Sequence, residues 1–195
     1  MGLRIIFGVL LTLFSVFFVC CGDGEDSSLG ADYTYYRIGS RNWKSHRLVE
    51  ERGGIVYAVS EVPLAYHFLR SGYQGSSLDS LCLSHADERL FEVEFSSIDG
   101  TDLFSDGHFD RDLGSLISHL SFEISDDFSL SSSVLDSLDC SGSLFERSFK
   151  LTPHKRVLLF FSGVASDQDF KLIYRDRLFG RGVFEFDFGK LPLKV

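Results

Sequence analysis

The chain is 195 residues long with a net charge of −9, 44% hydrophobic residues and 20 phenylalanines. That much apolar side chain rules out a disordered tail, and the length suits one domain with a real core. The acid excess excludes a nucleic-acid partner, because phosphate contacts need clustered Lys and Arg.

The first element is apolar. Arg4 is the only charge before Asp23, and Ile5 to Val19 is interrupted only by Gly8, Thr12 and Ser15. One positive charge followed by such a run is the layout of a secretory signal. A membrane-spanning anchor is the alternative, although the run sits at or below the roughly 20 residues that a span needs and has no basic flank after it. The run ends in Phe18-Val19-Cys20-Cys21, which resembles the lipobox of bacterial lipoproteins. Phe18 and Cys20 stand where that family usually has Leu and Ala or Gly. The resemblance implies cleavage after Cys20, lipid on Cys21, and a place in the cell envelope. Gly22 is not the Asp that marks inner-membrane retention in the family, which favours the outer membrane. Residues 1–20 are then a signal peptide and 21–32 a lipidated tether. Gly22 to Asp32 holds only Leu29 and Ala31 as apolar side chains. As a coil it spans roughly 20 Å, and about 40 Å when straight.

Residues 33–195 read as a single β-rich domain. Strands are expected at Tyr33 to Ile38, Ile55 to Val62 and Phe91 to Phe95, the last alternating cleanly with Glu92 and Glu94. Pro63 to Arg70 suits a short helix. Leu113, Leu116, Ile117 and Leu120 form one helical face, with Asp110 placed to cap it. Phe122 and Ile124 read as a short strand, and the Ser-rich stretches Ser76 to Ser80 and Ser129 to Ser143 as loops. Four strands follow: Phe145 to Leu151, Val157 to Phe161, Phe170 to Tyr174 and Phe184 to Phe188. The second is apolar throughout, as a central strand would be. This rhythm predicts a mainly β fold, an antiparallel β-sandwich with one or two short helices. The stretches FKLTPHKRVLLFFSGV and FKLIY also resemble the paired strands of Ig-like domains attached to many bacterial surface lipoproteins. That resemblance implies an Ig-like binding or scaffolding module and transfers no catalytic residue.

Charge is unevenly spread. Asp79 to Glu146 carries sixteen Asp/Glu against two Arg, whereas Arg147 to Val195 carries ten Lys/Arg against five Asp/Glu. Either the two regions neutralise each other within the fold, or one of them meets a partner of opposite charge. On the second reading Arg147, Lys150, Lys155 and Arg156 dock to an envelope protein or an anionic glycolipid. Asp99, Asp102, Asp106, Asp110 and Asp112 form a Gly-punctuated acidic stretch. It reads either as a solvated turn or as a calcium loop, without the EF-hand spacing. No other cofactor is indicated. If Cys20 leaves with the signal and Cys21 carries lipid, Cys82 and Cys140 remain. In an exported chain they read as a disulfide worth about 4 kcal/mol, or else as two free thiols.

No HExxH, GxSxG, SxxK or P-loop occurs, and His85-Ala86-Asp87 is an isolated HxD. The expected function is a lipid-anchored, non-catalytic binding or structural module of the cell envelope. The alternatives are an exported hydrolase whose site is assembled only in three dimensions, and an envelope calcium-binding protein.

Overall fold

A computed structural model describes residues 32–104, 112–133, 136–147, 152–164 and 169–188. The apolar segment expected to be a signal, with Phe18-Val19-Cys20-Cys21, the expected tether up to Ala31, and Asp106, Asp110 and Lys150 lie outside them.

The described residues begin with three antiparallel strands, β1 (Asp32–Ile38), β2 (Arg41–Arg52) and β3 (Ile55–Glu61). Arg52 pairs with Ile55, so only Gly53 and Gly54 make the β2–β3 turn, with φ of 62° and 80°. A two-residue hairpin turn with both residues at positive φ matches the strand twist, and glycine adopts it without a Cβ clash. Two short helices follow, α1 (Leu64–Arg70) and α2 (Ser76–Ser84), then β4 (Glu88–Ser97). After α3 (Leu113–Phe122) and a 3₁₀ turn (Ile124–Asp127) come β5 (Phe128–Ser132), β6 (Leu138–Asp139), β7 (Gly142–Glu146), β8 (Lys155–Ser162), β9 (Phe170–Asp176) and β10 (Gly182–Asp187).

Among the described residues these strands form two antiparallel sheets, ordered β1-β2-β3-β4-β8-β7 and β10-β9-β5-β6. The protein is mainly β, as the alternation predicts. The larger sheet sends Tyr57, Phe91, Phe95, Leu159 and Phe161 inward, and the smaller sends Phe128, Leu172, Tyr174, Phe184 and Phe186. Rings meet across the gap, Tyr57 with Phe184 at 4.2 Å and Phe91 with Phe188 at 5.1 Å between centroids. Aromatic pairs of this kind add about 0.5–1.5 kcal/mol each beyond the burial of their area. On its outer face the larger sheet carries a smaller apolar cluster, Tyr36, Val62, Leu90 and Leu158, against which Leu64 and Tyr66 of α1 pack. From Val157 to Phe161, β8 is therefore apolar on both faces, as its sequence requires.

Several expectations are corrected. Ser76 to Ser80 opens α2, because Leu78 is buried there. The Ser-rich stretch 129–143 contributes to β5, β6 and β7: Phe128 and Leu130 alternate with serines and point inward. Phe122 and Ile124 end a helix and begin a 3₁₀ turn instead of forming a strand. Asp112, not Asp110, caps α3, its carboxylate accepting from Ser115 N–H at 2.9 Å. The buried side of α3 is rotated from the expected stripe: Leu116, His119 and Leu120 are inside and Leu113 is exposed.

Cys82 and Cys140 do not form the expected bridge; both are free thiols. Cys140 packs against the core between the sheets, and its thiol donates to Gly142 O at 3.1 Å. Cys82 sits on α2, which packs on α1. Strand and helix placement thus give each sulfur different neighbours, and burial raises both thiol pKa values.

Candidate functional site

Strand alternation builds a charged array on the outer face of the six-stranded sheet. Phe91, Val93 and Phe95 point into the core, so Glu92 and Glu94 of β4 point outward. In β8 the inward residues are Val157 and Leu159, which turns Arg156 outward. The register sets Arg156 directly between Glu94 of β4 and Glu146 of β7. Its guanidinium reaches Glu92 at 3.5 Å, Glu94 at 3.4 Å and Glu146 at 3.5 Å. Glu94 is also held by Arg47 of β2 at 3.1 Å and approached by His154 at 3.7 Å.

Two shallow clefts flank this array. The first, about 200 Å³, lies between α1 and the β7–β8 edge and is lined by Tyr66, His67, Arg70, Glu92, Leu144 and Glu146, among others. The second, about 170 Å³, is lined by Glu146, Arg147, Thr152, His154 and Arg156. Burial pushes the Glu92 carboxyl above the usual carboxylate range, and Glu146 and Glu94 add to the shift while Arg156 opposes it. His67 is shifted down, first by burial and then by the nearby Arg70. The clefts thus offer cationic donors and carboxylate acceptors a few ångströms apart on a rigid sheet. Such a surface can grip a partner that presents both charges.

The proposed basic docking residues separate. Arg147 and Arg156 share the second cleft, and Arg147 also donates to Ser121 Oγ at 3.2 Å. Lys155, one residue from Arg156, points to the opposite face. It is 5% exposed, paired with Asp102 at 2.9 Å, with its ammonium 5.1 Å from the Phe104 ring. It is therefore a structural cation and not a docking one. The contacts of Lys155 with Asp102, and of Arg156 with Glu92, Glu94 and Glu146, join the acidic middle of the chain to its basic final quarter.

The aspartates of the acidic stretch are held locally. Asp99 accepts from Ser97 Oγ, Thr101 N–H and Thr101 Oγ1 at 2.7–3.0 Å. Asp102 holds Lys155 and Phe104 N–H, and Asp112 caps α3. Among the described residues no three His, Cys, Asp or Glu side chains gather as a metal site would require.

Glu92, Glu94 and Glu146 were legible only as outward residues of strands. What identifies them as a site is their convergence on one arginine, which the β4–β8–β7 register creates. Replacing Arg156 with Met should strip Glu92 and Glu146 of this cation and leave Glu94 to Arg47 and His154. A loss of about 1–2 kcal/mol is expected at neutral pH, discounted for partial exposure. A carboxyl whose folded pKa is raised costs stability as pH rises from the ordinary carboxylate value through the folded one. Urea unfolding should therefore find Arg156→Met closer to the parent at pH 5 than at pH 7.5; equal losses at both would refute the arrangement. No family model matches the chain, and neither does any curated protein or solved structure with which it was compared.

Proposed function

We propose that the chain is a lipid-anchored cell-envelope protein that works as a non-catalytic binding module, with the charged outer face of its six-stranded sheet as the ligand face. The observation that carries the binding reading is the alternation of Arg47, Glu94, Arg156 and Glu146 across four strands, bordered by two clefts. Each cleft is smaller than the roughly 300–1,000 Å³ that usually enclose a small ligand. Both fit the side chains of a protein or peptide partner with interspersed charges, for which opposite-sign pairing gives specificity. The anchoring reading rests on the apolar leader and Phe18-Val19-Cys20-Cys21.

The two parts are tested separately. Intact mass of the membrane-extracted chain should show loss of Met1–Cys20 and lipid on Cys21. A retained leader or a bare Cys21 thiol would overturn the anchor. A photo-cross-linker at Leu144, an exposed cleft residue, should capture a defined envelope partner in living cells. The same probe at Val183, exposed on the four-stranded sheet, should not, and Glu146→Lys should abolish capture from Leu144. Equal capture from both positions would remove this face from consideration.

A further inference from the structure

The hairpin that follows the tether has a face that the sandwich leaves open. β1 packs on β2 and on α1. α1 lies on the side of Tyr36 and Trp43, whose rings meet Tyr66 at 5.0 and 6.0 Å. The opposite side carries Tyr33, Tyr35 and Arg37 of β1, paired across from His46, Lys44 and Asn42 of β2. Tyr33 is 40% exposed and Tyr35 53%, and Arg37 is exposed as well. Lys44 Nζ stands 3.5 Å from the Tyr33 ring centroid and Arg37 5.7 Å from that of Tyr35, while His46 tilts against Tyr33 at 4.6 Å. From Tyr33 to Arg47 the chain has Arg37, Arg41, Lys44 and Arg47 and not one Asp or Glu. In a protein of net charge −9 this is a local reversal of sign.

We infer that this face of the β1–β2 hairpin rests on an anionic phospholipid surface, with Arg37 and Lys44 reaching headgroup phosphates and Tyr33 and Tyr35 sitting at headgroup depth. Tyrosine and basic side chains are the residues that settle at a membrane–water interface, the ring amphipathic and the cation snorkelling to phosphate. Asp32, the first residue of β1, pairs across from Arg47, and acidic residues farther than about 8–10 Å from the face are screened at physiological salt. Two observations select a membrane over a sugar polymer. Lys44 and Arg37 already lie over the Tyr33 and Tyr35 rings, which leaves those ring faces poorly placed to stack on sugars. β1 also begins only eleven residues after Cys21, which on the anchoring reading carries the lipid. That second point rests on the anchoring reading; the chemistry of the patch does not.

The test is hydrogen exchange of the full chain mixed with vesicles of phosphatidylcholine alone, or with roughly one-third phosphatidylglycerol. Amides of Tyr33 to Arg47 should exchange about fivefold or more slowly with the anionic vesicles only, and molar salt should restore the free rate. Arg37→Glu with Lys44→Glu should abolish the effect while leaving exchange in β4 and β8 unchanged. The milder Arg37→Gln with Lys44→Gln should reduce it, which guards against misfolding of the charge-reversed chain. Equal rates on neutral and anionic vesicles would overturn the inference, and so would protection by a sulfated polysaccharide but not by lipid, which would reassign the patch to a glycan. Retention on vesicles in molar salt reports the anchor independently, so a failed anchor and a failed hairpin contact are distinguishable.

Discussion

Asp176→Ala is expected to bring the protein to the edge of unfolding. Asp176 is 6% exposed, yet its carboxylate accepts four hydrogen bonds, from Tyr57 Oη at 2.9 Å, Tyr174 Oη at 2.8 Å, Phe179 N–H at 2.8 Å and Arg181 N–H at 3.0 Å. It ties β3 of one sheet to β9 of the other and closes the turn into β10. Burial, with the Asp176 charge adding to it, pushes both phenol pKa values above the ordinary tyrosine value. Removing the carboxylate strands these hydroxyls in a site where both tyrosines are fully buried. At about 1–3 kcal/mol per abandoned buried donor, a loss of about 4 kcal/mol or more follows. Domains of this size have only about 5–15 kcal/mol in total. Asp176→Asn should be nearly as damaging, because its amide nitrogen would face donors. Tyr57→Phe should cost about 1 kcal/mol in the parent and close to nothing in an Asp176→Ala background, since the hydroxyl has then already lost its acceptor. Chemical unfolding of the three variants gives that coupling; additive losses would mean the hydroxyl–carboxylate bond contributes nothing.

The second large effect concerns His119. This buried side chain lies between two carboxylates, Nε2 at 2.7 Å from Asp127 and Nδ1 at 3.2 Å from Glu123. Asp127 is fully buried and its other oxygen accepts from Arg177 Nε. The hydrogen bond to Asp127 leads the effects that raise the His119 pKa, against the opposing effect of burial. At pH 5.5, below the ordinary histidine value, Asp127→Asn should destabilise the protein by about 3 kcal/mol, because it strips a buried imidazolium of its main partner. The pH dependence has a definite sign. A histidine with a raised folded pKa contributes stability fully below its unfolded value, about 6.5, and that contribution is lost as pH rises through the folded one. Glu61 acts in the same direction, since burial, opposed by Arg89, lifts it to about 7. The parent should therefore unfold at lower urea at pH 8.5 than at pH 5.5, and His119→Gln should flatten the upper part of that fall. A parent that gains stability between those pH values would contradict the placement of His119.

The sequence made some of this readable in particular ways. His119, Glu123 and Asp127 are spaced by four, a helical face that could have been recognised, but the chain passes from helix to 3₁₀ turn there, and the strand reading of Phe122 and Ile124 hid it. β2 carries no alternation that marks a strand, because its residues, RNWKSHRLVEER, are largely polar on both sides. It is recruited by β1 and β3, and only its Leu48 packs on the main core. Lys155 and Arg156 looked equivalent as charges, yet alternation places one under Phe104 and Asp102 and the other among three glutamates.

By itself, the sequence determined the class of fold and which side of most strands faces inward. Period-two alternation of Phe, Leu and Val with polar residues permits one burial pattern, and any slip of one residue would expose the core. It also carries the apolar run Ile5 to Val19 and the two cysteines that follow it. The tertiary structure alone decided which charges meet. Register between strands distant in sequence sets Arg156 beside Glu92, Glu94 and Glu146, and brings Asp176 to Tyr57. It keeps Cys82 and Cys140 as separate thiols and leaves one hairpin face uncovered. Such pairings depend on distances of a few ångströms between segments that no local pattern links.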